Sequence, residues 1–269
     1  MLTQAYDYLE ECAVLYSLLK ELDEREFRRP TQFKGWTFND VIGHLHLFDY
    51  AARLTLEQPL IFAKLLADIM EAVSRGNQLT AFTRNWLGKH AGRSLLMLWH
   101  DCARGVAEVY ANSDPQRRVC WAGPQMSVRS CISARQMETW AHGQELFDAL
   151  GRVRTDTDRI KNIAAIGVNT FGWTFINRRI EVPLVKPYVK LYAPSGAVWS
   201  WNDPIGEDRV EGSATEFCQV VTQTRNIGDT ALFVRGVVAR EWMSMAQCFA
   251  GAPEAPPYPG TRFRCQVDD

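Results

Sequence analysis

Gly35-Trp36-Thr37-Phe38-Asn39-Asp40-Val41-Ile42-Gly43-His44-Leu45 is the stretch whose reading decides the fold of the first half of the chain. Thr37 has the side chain of a good helix N-cap, and Asp40, three residues on, completes an acidic variant of the capping box. The helix so opened runs to about Glu57, and Pro59 follows just past its end. Within it Val41, His44, Phe48 and Ala51 recur at 3-4-3 spacing and fall on one stripe, which should face a helical bundle. His46 lies about 200° round the helix from His44, so the two cannot address the same point.

Upstream, Leu2 to Leu22 carries apolar residues at helical spacing, and the polar stretch Asp23 to Lys34 reads as a loop. Downstream, 60–74 and 78–89 read as weaker helices and 92–112 as a strong one. A loop over 114–130 precedes another strong helix, about 131–150, closed by Gly151. On that helix Ala134, Glu138, His142, Leu146 and Ala149 form a second inward stripe. Glu138 and His142, four apart, stack on one face with about 6 Å between Cβ atoms.

After about residue 155 the texture changes. A helical stretch over 156–170 ends in Phe171-Gly172-Trp173, and β-branched and aromatic residues then alternate. Val185 to Tyr192 and Ala197 to Trp201, joined through Pro194-Ser195-Gly196, predict a hairpin. Arg209 to Gly212 and Ala231 to Val234 predict two further strands, and 214–225 and 237–250 two further helices. The tail after Ala252, with four of the twelve prolines, is expected to be loosely ordered. The expected organisation is a helical bundle over 1–152 and a smaller α+β domain over 153–269.

Composition limits the function classes. Apolar residues make up 46% of 269, enough for a buried core, and 30 basic side chains nearly cancel 31 acidic ones. No net field draws such a chain to nucleic acid or to an anionic membrane. No apolar run reaches the roughly 18 residues of a spanning helix, and no secretory signal opens the chain. Seven irregularly spaced cysteines without a C-x-x-C point to reduced thiols and a cytoplasmic protein. No P-loop, G-x-G-x-x-G or G-x-S-x-G supports nucleotide or serine-hydrolase chemistry.

A glutamate and histidines on apolar stripes call for an explanation, because a lone buried charge is costly. Coordination of one divalent metal satisfies Glu138 and His142 at once, and imidazole with carboxylate suits zinc and related ions. Three protein ligands leave a position open for water or substrate. Spacing alone favours the simpler reading, in which Glu138 and His142 merely pair with each other or cap hydrogen bonds.

The run from Gly35 to Leu45 resembles the Gly-Trp-Thr-…-Asp-Val-…-His-Leu motif of the mycothiol-dependent maleylpyruvate isomerase family. Met137-Glu138-Thr139-Trp140-Ala141-His142-Gly143, ending in Asp148-Ala149-Leu150-Gly151, resembles that family's second metal motif. The resemblance covers about residues 1–152 and implies a DinB-like four-helix bundle whose His, Glu and His ligands match His44, Glu138 and His142. Ala193 to Trp199 and Ala246 to Gly251 are similar to a branch of the family with its own C-terminal domain. The implied activity is a thiol-dependent cis-trans isomerase or S-transferase, using a metal and a low-molecular-weight thiol on a small, anionic electrophile. The family enzyme uses an Arg of its C-terminal domain; Arg240, and less so Arg235, are the candidates here. Arg135 is the candidate from the bundle. Asp49 could orient a ligand and His100 could serve as an acid or base, each with a structural reading beside it. A non-catalytic metal-binding protein, with a ligand- or partner-binding C-terminal domain, is the alternative. The partner expected is a small molecule, on a monomer or homodimer.

Overall fold

The computed structural model describes residues 1–262, and these divide into two compact units, Met1–Leu146 and the chain from Phe147 onward. The division falls inside the last turns of a helix rather than after it. Four long helices frame the first unit: α1 (Thr3–Leu19), α2 (Phe38–Glu57), α5 (Gly92–Ala111) and α6 (Val128–Ala149). Between α2 and α5 stand α3 (Pro59–Ser74) and α4 (Leu79–Leu87). α2 packs on α5, α5 on α1, and α3 and α4 cover a further side of α2. Side chains of α6 reach both α5, through Cys131 and Tyr110, and α2, through Arg135 and Asp49.

α2 begins where its cap dictates. Thr37 Oγ1 accepts from the Asp40 amide at 3.2 Å, and Asp40 Oδ2 accepts from the Thr37 amide at 2.9 Å, which satisfies two orphan donors of the first turn. Asp40 is also gripped from α4 by Arg84, whose Nε and Nη2 each donate at 2.7 Å. Three residues on, Gly43 lets α4 approach. A β-carbon there would meet Leu87 Cδ1 at 2.8 Å and Thr83 Cγ2 at 3.3 Å.

The segment 114–130, expected to be a loop, contains a hairpin of β1 (Arg118–Trp121) and β2 (Gly123–Ser127). Its pairing is antiparallel with an irregularity between Val119 and Trp121. Strand β1 lies against α2, and Trp121 stacks on Phe62 of α3 with ring centroids 5.9 Å apart. The pattern was unreadable because each strand is short and only Val119 of β1 is buried.

The second unit is α+β. Helices α7 (Lys161–Asn169) and α8 (Phe171–Asn177) replace the single helix expected there, the aromatic run continuing as helix and not ending it. A four-stranded sheet follows in the order β4-β3-β5-β6, from β3 (Tyr188–Tyr192), β4 (Val198–Trp201), β5 (Arg209–Ser213) and β6 (Phe233–Arg235). β3 and β4 form an antiparallel hairpin with Leu191 opposite Trp199, while β3 and β5 are parallel. Alternation aims Val189, Leu191, Trp199 and Val210 at the core. Helices α9 (Ala214–Val221) and α10 (Val237–Met245) contribute Phe217 and Trp242 to it.

The tail departs from expectation: residues from Ala252 to Gly260 are tied down. Gln223 and Arg178 donate to the Glu254 carbonyl, Asn226 to that of Pro257, and the Gly260 amide donates to Asp229. Among the described residues no helix is long and apolar enough to cross a membrane. Cys12, Cys102, Cys120, Cys131 and Cys218 are free thiols; Cys265 lies outside the described residues.

Burial opposes ionisation of Asp40, yet the bonds from Arg84 and Thr37 outweigh it and hold the carboxyl below its usual value. Its contribution to stability is therefore present above the ordinary carboxylate range and lost as pH falls through the lowered folded value. Asp40→Ala is expected to destabilise the protein by about 1–2 kcal/mol at neutral pH. That loss should shrink toward zero in urea titrations repeated at strongly acidic pH.

Candidate metal centre

His44 enters the site from the second turn of α2, and Glu138 and His142 enter from one face of α6. Glu138 Oε2 stands 3.4 Å from His44 Nε2 and 3.4 Å from His142 Nε2. One ligand atom from each of the three lies within 4.8 Å of the others, and among the described residues no fourth Cys, His, Asp or Glu joins the group. The helices bury nearly every other side chain, polar Gln136, Thr139 and Gln144 included. The stripe bearing the group is the less buried one: His44, Phe48, Ala134, Glu138 and His142 all keep some solvent contact.

These separations test the fit of an ion. A tetrahedral ion with ligand atoms at 2.0–2.1 Å sets them about 3.3–3.4 Å apart. A strong charged hydrogen bond would be shorter, about 2.7–2.9 Å. The group's spacing matches the edge of a coordination polyhedron better than a direct hydrogen bond. Protonation agrees. Burial lowers His44 to about 4, assisted by His142 and Arg135 and opposed by Glu138, so its imidazole is neutral at pH 7. Burial alone would raise Glu138, but the long polar contacts from His142 and His44 outweigh it and hold its carboxyl well below the usual value. Two imidazoles and one carboxylate form a donor set suited to a divalent ion.

An aromatic wall surrounds the histidines. Trp36 stacks on His142 with centroids 5.6 Å apart and planes 5° off parallel; Phe33 meets the same ring edge-on at 5.2 Å. Phe48 packs on His44 at 4.8 Å. The loop before α2 places two of these rings by a tight turn. Lys34 and Gly35 both have positive φ, 51° and 68°, and the Trp36 amide donates to the Phe33 carbonyl at 2.9 Å. Two successive positive φ values are what a type I′ turn requires. The bridge between Pro30 and Thr37 extends this turn into a small hairpin ending at the α2 cap. Beyond Phe48 lies a small apolar cleft with room for about one water, lined by Phe62, Leu65, Ile69 and Trp121 among others.

The other singled-out residues stand elsewhere. His46 is buried against Trp86, centroids 5.4 Å apart, and is not in the cluster. His100 stacks on Tyr16. Asp49 and Arg135 pair with each other, Arg135 Nε donating to Asp49 Oδ1 at 2.8 Å. Burial opposes the Arg135 charge, but Asp49 and Glu138 outweigh it, so the guanidinium is held firmly protonated. In the second unit Arg240 is exposed on α10, and Arg235 pairs with Glu207 at 2.7 Å. Periodicity missed Phe33 and its turn. The cue was present in Lys34-Gly35, a dipeptide able to take two positive φ values.

Gly35→Ala is expected to destabilise the first unit by about 1 kcal/mol, because a β-carbon is strained at positive φ. Gly35→Asn should lose less, since Asn tolerates that region. Urea midpoints for the two variants check this, and equal losses would show that the loop does not depend on the turn.

Comparison with known proteins agrees with this geometry. Residues 8–147 match the family model described as the mycothiol maleylpyruvate isomerase N-terminal domain. The chain is 34% identical over 247 residues to Uncharacterized protein Rv0036c of Mycobacterium tuberculosis (strain ATCC 25618 / H37Rv), covering 92% of this chain and 95% of that protein. Uncharacterized protein MT0041 of strain CDC 1551 / Oshkosh matches with the same figures. The crystal structure of the mycothiol-dependent maleylpyruvate isomerase aligns with a TM-score of 0.50 over 81% of this chain and 87% of that one, at 15% identity, a likeness of fold. With the model match spanning both helices that carry His44, Glu138 and His142, the chain belongs to the mycothiol maleylpyruvate isomerase family.

Proposed function

We propose that this protein is a metal-dependent enzyme that uses a low-molecular-weight thiol, mycothiol by family analogy, either to isomerise a small electrophile or as the group transferred through its sulfur onto one. The observation that carries the reading is the three-donor group with no fourth protein ligand among the described residues, on the half-open stripe of two otherwise buried helices. A structural site closes its coordination sphere with protein atoms; a catalytic one leaves a place for an exogenous ligand.

His44, Glu138 and His142 are the residues proposed to hold the ion, with zinc the metal best suited to the set. A divalent ion so held supplies Lewis acidity that lowers the proton affinity of a thiol beside it. The chain's own residues do the rest. Glu138 brings one negative charge, so the ion keeps net positive charge toward an anionic partner. Neutral His44 offers an imidazole lone pair without first losing a proton. Trp36, Phe33 and Phe48 pack against the imidazoles and keep water from their faces, which strengthens electrostatic attraction at the site. Arg240 is proposed as a carboxylate partner on chemical grounds, since Arg offers a bidentate fork.

Metal analysis of purified protein should find about one divalent ion per chain. His44→Ala should lose it, while His46→Ala should keep it. With mycothiol and maleylpyruvate, the parent should show thiol-dependent loss of the cis substrate. Arg240→Ala should lower that turnover at unchanged metal content. Metal retained in His44→Ala would sink the ligand assignment, and turnover independent of thiol would sink the reaction class.

A further inference from the structure

The Arg135–Asp49 pair lies outside the donor group, yet it is the most thoroughly buried ionic contact near it. Side-chain exposure is 2% for Arg135 and 0% for Asp49. Asp49 is engaged on both oxygens, by Arg135 Nε at 2.8 Å and by Trp99 Nε1 of α5 at 2.9 Å. Arg135 Nη2 donates in addition to the Leu45 carbonyl at 3.4 Å, the backbone group next after His44. The guanidinium also sits over the Phe48 ring at 6.0 Å, the ring that packs on His44. Arg135 precedes Glu138 by three residues on α6, less than one turn.

These contacts converge on one effect. A buried pair of this kind contributes little net stability compared with apolar packing, because desolvation offsets the attraction. What it supplies is direction. Through Arg135, α6 is bonded to the α2 side chain at 49 and to the α2 backbone at 45, on either side of Phe48 and beside His44. The distance between the α2 ligand and the two α6 ligands is fixed by that tie.

We propose that Arg135, held by Asp49, is the positioning residue of the metal centre, tying α6 to α2 so that His44 meets Glu138 and His142 at ligand spacing. The inference rests on the metal reading above. It makes a prediction opposite to that of simple charge. Removing a cation near a divalent ion should tighten binding; removing a tie should weaken it.

The test is competitive titration of Zn²⁺ against a chromogenic chelator, with Co²⁺ absorption as a report on coordination geometry. Samples are first shown folded by circular dichroism. Arg135→Met leaves Asp49 as a buried unpaired charge and is prone to unfold. The double variant Arg135→Met, Asp49→Asn is therefore the main arm, since it removes both charges and keeps an acceptor for Trp99. Arg135→Lys, which keeps the charge but loses the fork, is the rescue arm. The double variant should bind Zn²⁺ at least about 10-fold more weakly, with an altered Co²⁺ spectrum, and Arg135→Lys should fall between it and the parent. Affinity within twofold of the parent, or tighter binding, in the folded double variant overturns the proposal and leaves the metal reading intact. Absence of Zn²⁺ binding in the parent overturns both.

Discussion

A carboxylate shared between two imidazoles is the constraint around which the first unit is built. Glu138 is held ionised despite burial only because His44 and His142 face it from two helices. Neither α2 nor α6 could satisfy it alone: i,i+4 spacing brings His142 to Glu138, but the second imidazole must come from elsewhere in the fold. That requirement sets the phase of α2, which the Thr37–Asp40 capping box starts at the right residue. It also sets the separation of α2 from α6, which the Arg135–Asp49 contact spans.

Much of this was legible in the sequence where the cause is local. The cap at Thr37, the divergence of His46 and the stacking of Glu138 with His142 all follow from helical geometry over a few residues, whereas the stripe through His44, expected to face inward, is the more open one. Long-range causes were not legible. Nothing in the spacing says that Arg135 meets Asp49, eighty-six positions away, rather than pointing into the site. Periodicity was also blind where elements are short. The β1–β2 hairpin has one buried residue in its first strand, and the Lys34-Gly35 turn is only as long as its two positive φ values. In the second unit, alternation identified strands but not the parallel partnership of β3 with β5, which depends on how β4 folds out to the edge of the sheet.

The two kinds of likeness divide between the units in an informative way. The family model stops at residue 147, where the chain leaves the first unit, and it includes every donor of the candidate centre. The mycobacterial relatives match through 92% of the chain, so the same pairing of a bundle with an α+β unit is shared with them. Family membership therefore speaks to the donor set, while the second unit is where substrate choice has room to differ. A shared fold at 15% identity does not carry a shared substrate.

The aromatic wall explains why a centre with only three donors can still be demanding about what it accepts. Trp36 and Phe33 lie against one imidazole and Phe48 against the other, so the histidine faces are closed and approach is confined to the open stripe. The turn at Lys34-Gly35 and the hairpin carrying Trp121 are both short surface devices, the first adding Phe33 and Trp36 and the second Trp121 beside a helical core that supplies the donors and Phe48. Selectivity in this unit thus resides in connections between helices, and binding capacity resides in the helices themselves.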